Sequence, residues 1–136
     1  MMMEIGAIFG GPEGFDTKVY AAISKLTRLK DEGHFADDTG SLDVVFHVPG
    51  SITRPDYSGA RTGRLWRKRR KLQVQISVPV ELMNSKDDTD AERFVINALR
   101  EAVRIAEPVF AAASIPYRRE QYERMIERIE RSTSPN

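Results

Sequence analysis

The stretch RTGRLWRKRRK, residues 61–71, carries seven basic side chains and one tryptophan and contains no acid. Those residue types suit recognition of an anionic surface. A guanidinium offers a planar set of donors to a carboxylate or phosphate, and an indole supplies contact area or a stacking plane. Lysine alone would suffice to keep a strand edge from aggregating. Five arginines and a tryptophan therefore point to binding rather than to edge protection. The candidate contact residues are Arg61, Arg64, Trp66, Arg67, Lys68, Arg69, Arg70 and Lys71, with Arg54 in the same connection.

Other groups that could do chemistry are weaker. Asp43 and His47 share one face of an alternating segment, the only pair suited to acid–base work. Four residues along a strand separate them by roughly 13 Å, so they could at most flank a substrate. Gly10-Gly11-Pro12-Glu13-Gly14 sits where a phosphate cradle would lie, between a strand and a helix. It lacks the spacing of either glycine-rich nucleotide motif, and Glu13 and Asp16 would repel a phosphate. Asp87, Asp88 and Asp90 lack the glycine and terminal glutamate of a calcium loop, and acids at a helix start already suit its dipole. There is no cysteine, hence no disulfide, thiolate nucleophile or zinc finger. Neither a catalytic set, a metal site nor a cofactor is expected.

The 136 residues suffice for one domain with a real core, expected over 1–131 with a frayed tail at 132–136. Net charge is +1, from 21 basic and 20 acidic residues. Without residues 61–71 the chain holds 14 basic and 20 acidic side chains, a net −6, so an acidic body carries one concentrated basic segment. The start, MMMEIGAIFGGPEG, does not read as a signal peptide, and no apolar run approaches the roughly 20 residues needed to cross a bilayer. A cytoplasmic protein without membrane contact is expected.

The elements that must position the basic segment follow from periodicity. MEIGAIF reads as a strand stopped by Gly10-Gly11-Pro12. Asp16 is a plausible cap for a helix with Val19, Ile23 and Leu26 on one stripe, closed by Gly33. SLDVVFHV alternates, with Leu42, Val44 and Phe46 inward, and KLQVQISVPV alternates likewise through Leu72, Val74 and Ile76, leaving Gln73 and Gln75 outward. Thr89 and Glu92 match a capping box ahead of a helix carrying Phe94, Ala98, Ala102 and Ile105, which Pro108 should end or kink. A last helix presents Tyr122, Met125, Ile126 and Ile129. The order β-α-β-β-α-α predicts a two-layer α+β domain, a three-stranded, largely antiparallel sheet with helices on one face. About twenty residues, 50–71, join two strands expected to be antiparallel neighbours, far more than a hairpin needs. That connection is either a long basic hairpin arm or a loop. Continued back from Leu72, its alternation would set Trp66 on the Leu72 face.

The run VVFHVPGSITRP, then RTGRLWRK, LQVQISVPVE, an acidic linker and FVINALREAVRIA resembles predicted immunity proteins of bacterial polymorphic toxin systems, over roughly residues 42–117. The resemblance implies a non-enzymatic protein that binds a cognate toxin domain and occludes its active site, with Arg54, Arg61, Arg64 and Trp66 at the interface. Because the segment is basic, the toxin's contact surface would be acidic. The competing expectation is a nucleic-acid-binding module in which the same cations contact phosphates and Trp66 stacks. A third is self-association of the arm into a homodimer.

Overall fold

The computed structural model describes residues 3–8, 18–29, 39–49 and 57–133. Its elements run β1 (Glu4–Ile8), α1 (Lys18–Leu29), β2 (Ser41–His47), β3 (Gly59–Trp66), a 3-10 turn at Arg67–Arg69, β4 (Lys71–Ser77), a short α2 (Val80–Met83), α3 (Asp88–Ala112) and α4 (Arg119–Thr133). The class is α+β. The sheet, however, has four strands in the order β1-β2-β4-β3 and is mixed, which corrects the three-stranded, largely antiparallel expectation.

Strands β2 and β4 are neighbours, with Leu42 beside Leu72 and Phe46 beside Ile76, but they run parallel. Strand β1 is also parallel to β2, Ile5 beside Val44, with helix α1 between them in sequence. A parallel return needs a crossover of a dozen or more residues, and an amphipathic helix supplies it. The reversal between β2 and β4 is absorbed by β3, which lies outside β4 and pairs with it antiparallel from Gly59–Ser77 to Trp66–Lys71. Most of the unexplained connection is thus β3 and its turn. It follows β4 along the sheet's length rather than projecting past the core.

One sheet face is the core face. Leu42, Val44, Phe46, Leu72, Val74 and Ile76 are buried there under Val19, Ile23 and Leu26 of α1 and Val95, Leu99 and Val103 of α3. Such a face gives period-two alternation whichever way the strands run, so alternation could not report direction. Gln73 and Gln75 lie on the opposite face, half-buried. Among the described residues, no helix packs on that face.

Helix α3 departs from expectation at both ends. Its cap is Asp87, whose carboxylate accepts the Thr89 amide at 2.9 Å, so the helix starts before the expected box. It runs through Pro108 to Ala112, because Ala106 and Phe110, on either side of the proline, are fully buried and hold the chain in place. Its buried stripe is centred on Val95, Leu99, Ala102, Val103 and Ala106, while Phe94 and Ile105 lie only half-buried at the margins.

Helix α4 closes the layer through Tyr122, Met125, Ile126 and Ile129, all buried. Tyr122 stacks on Tyr117 at 5.6 Å and donates its hydroxyl to the Gly40 carbonyl at 2.9 Å. The Gly40 amide in turn donates to the Pro116 carbonyl at 2.7 Å. Gly40 must lack a side chain, because a Cβ there would lie 2.6 Å from the Phe110 ring. The next amide, Ser41, donates to the Arg70 carbonyl at 2.8 Å. The helical layer therefore holds the start of β2, and the start of β2 holds the basic turn.

Candidate binding surface

The two strand ends carry different chemistry. At the end where β2 and β4 begin, the chain turns from β3 into β4 through Arg67, Lys68, Arg69 and Arg70, all exposed. Arg70 adopts the left-handed conformation at φ 50°, and its amide donates to the Arg67 carbonyl at 3.2 Å. This turn resets the alternation. Trp66 pairs with Lys71 and falls on the Gln73 side rather than beside Leu72, which corrects the sequence-based parity. The Arg64 guanidinium lies 5.0 Å from the centre of the Trp66 ring, within cation–π range.

The register of β3 slips between Thr62 and Leu65, so Gly63 and Arg64 form an irregular segment of the edge. Gly63 sits closely against the neighbouring strand there. A Cβ would come within 3.0 Å of the Gln73 and Gln75 side-chain amides, which lie across the strand with Gln75 Nε2 donating to Gln73 Oε1 at 2.9 Å.

At the other end, where the parallel strands finish, Ile8, His47 and Ser77 share one row, and β3 enters at Gly59. His47 is 7% exposed although it belongs to the face without helices. The Tyr57 ring meets it edge-on at 6.2 Å, and the Arg61 guanidinium sits 4.4 Å above the Tyr57 ring. Burial first, and the Arg61 charge second, hold the imidazole below its ordinary pKa. Burial raises the Tyr57 phenol, with Arg61 partly offsetting it. The Tyr57 hydroxyl is buried without a hydrogen-bond partner among the described residues.

Two Arg–aromatic pairs, Arg61–Tyr57 and Arg64–Trp66, therefore flank the Gln73–Gln75 pair along β3. Among the described residues, Arg61, Arg64, Arg67, Lys68, Arg69 and Arg70 form no ion pair. The helical layer differs. Arg100 grips Glu130 through two contacts, the shorter at 2.6 Å, Arg104 bonds Glu101, and Arg119 bonds Glu107 at 2.9 Å. Comparison with protein-family models, with curated proteins and with solved structures found no match to this chain.

Of the residues expected at an interface, Arg61, Arg64, Trp66, Arg67, Lys68, Arg69, Arg70 and Lys71 fall on one edge strand, its turn and the first residue of β4. Arg54 lies outside the described residues, as do the Gly10–Gly14 stretch, Asp16 and Gly33. Asp43 and His47 share a face but sit in separate rows, beside Gln73 and Ser77 respectively. Among the described residues no group of three potential metal ligands exists, and no helix is long and apolar enough to cross a membrane. Sequence reasoning missed Tyr57, which lies in the 50–71 connection expected only as an arm or a loop. The arginine four residues later was its one available signal.

Proposed function

We propose that this chain is a non-enzymatic binding protein that receives an acidic protein surface on β3 and the turn at 67–70, in the manner of an immunity protein occluding a cognate toxin domain. One observation carries the reading. Among the described residues, six cations on one edge and its turn lack ion pairs, whereas Arg100, Arg104 and Arg119 in the helical layer are neutralised by glutamates. Concentrated unpaired charge raises association rates and selects the sign of the partner. Arginine beside tryptophan or tyrosine is also the composition of interface hot spots.

Nucleic acid is the second reading. It is favoured by Trp66 and by the amides of Gln73 and Gln75 on the face without helices, a combination that stacking and base-edge contacts could use. Against it, the rest of the chain carries net negative charge, which would repel a polyanion beyond this edge. Affinity capture with the full chain, with and without nuclease, decides between the two. A single protein retained after nuclease, and lost when Arg64, Arg67 and Arg69 are replaced by glutamate, supports the protein reading. Material lost entirely on nuclease treatment supports the other.

A further inference from the structure

We propose that the acidic partner binds as an added strand, an extended segment rich in Asp or Glu that pairs with the outer edge of β3, unpaired among the described residues, as the fifth strand of the sheet. This deepens the function proposed above and rests on it. Strand β3 is the last in the sheet, and among the described residues β4 is the only strand paired with it. An edge strand presents alternate backbone donors and acceptors outward, and added strands use them for affinity while flanking side chains give specificity.

The side chains along this edge choose the occupant. Arg61 and Arg64 flank the strand itself, and Arg67, Lys68, Arg69 and Arg70 crowd its end. A second copy of the same strand would set arginine against arginine, and like charges across a strand pair destabilise it. An acidic segment would instead place carboxylates opposite guanidiniums that make no ion pair among the described residues, with bidentate pairing available. The slip between Thr62 and Leu65 breaks the regular edge at its middle, a feature that discourages indiscriminate pairing. The charges thus disfavour self-pairing while leaving an acidic strand admissible, and the slip confines regular pairing to the two halves of the edge. A phosphodiester chain would satisfy the charges but has no amide ladder to match the edge backbone.

The test is amide hydrogen exchange by NMR on the full chain, with two probes in parallel. One is an N-acetylated ten-residue peptide alternating glutamate and valine, and the other is a ten-nucleotide oligothymidylate. Arginine Nε resonances report charge contact, and β3 amide protection reports strand addition. The expected result is that the peptide shifts the Arg61 and Arg64 Nε signals. It should also slow exchange at least tenfold at alternate amides between Gly59 and Trp66, those not bonded to β4. Nε shifts with unchanged amide exchange would overturn the added strand while leaving the basic surface intact as a binding site. Binding of the oligothymidylate alone, or of neither probe, would overturn both readings. Thr62→Glu, placed at the middle of the edge, should weaken the peptide without unfolding the sheet, as unchanged β4 amide protection would verify.

Discussion

Replacing Arg70 by glycine should leave the fold at least as stable while removing one cation from the proposed surface. Arg70 sits at φ 50° and ψ 42°, where an L residue is disfavoured by about 1–2 kcal/mol. Glycine relieves that cost but adds unfolded-chain freedom worth about 0.5–1 kcal/mol. The hydrogen bonds that define the turn, Arg70 amide to Arg67 carbonyl and Ser41 amide to Arg70 carbonyl, are backbone bonds and survive the change. The side chain is exposed and has no ion pair among the described residues, so nothing else is lost. The net expectation is a gain of about 0–1.5 kcal/mol, read by urea denaturation with an unchanged slope. Loss of more than about 1 kcal/mol would refute the reasoning, since it would mean that the Arg70 side chain holds the turn.

Other substitutions test the scaffold. Ile126→Ala, at a fully buried position, should cost about 2–5 kcal/mol, and an unchanged denaturation midpoint would make α4 peripheral. Gly40→Ala should cost about 1–3 kcal/mol by forcing a methyl into the Phe110 ring, and a neutral result would show that the ring can move aside. His47 is held below its ordinary pKa in the fold, so the unfolded chain binds the extra proton first. Stability should therefore fall as pH drops through and below the ordinary histidine value. Arg61→Gln should shrink that dependence without abolishing it, because burial is the larger cause. An identical pH profile in His47→Gln would assign the loss to other groups.

The core faces of β2 and β4 were legible because buried and solvated positions alternate cleanly. Their parallel direction was not, since that alternation is the same in either orientation. The β1-α1-β2 crossover bears only on β1 and β2, whose parallel pairing a helical connection implies. Strand β3 was invisible for a physical reason. GARTGRLW lies at an edge with no fully buried residue, and the slip between Thr62 and Leu65 breaks what periodicity remains. The basic residues themselves were conspicuous by composition. Their common edge was not, because it depends on β3 lying outside β4. Asp87 displaced Thr89 as the cap because acidic residues run consecutively there and either can accept a first-turn amide. Pro108 failed to stop α3 because buried neighbours outweigh one lost backbone bond.

In the function proposed above, the β3 edge and its turn bind rather than stabilise. The direct measurement compares the chain with its variant Arg64→Glu, Arg67→Glu, Arg69→Glu for urea unfolding and for capture of the bound protein across a salt series. All three side chains are exposed and without ion pairs among the described residues, so each should shift stability by less than about 0.5 kcal/mol. Capture should be lost. In the unsubstituted chain, affinity should fall far less steeply with log salt than the slope near −0.9 per phosphate contact expected for duplex nucleic acid. Unfolding by several kilocalories per mole, or a stable variant that still captures the same protein, would contradict the account.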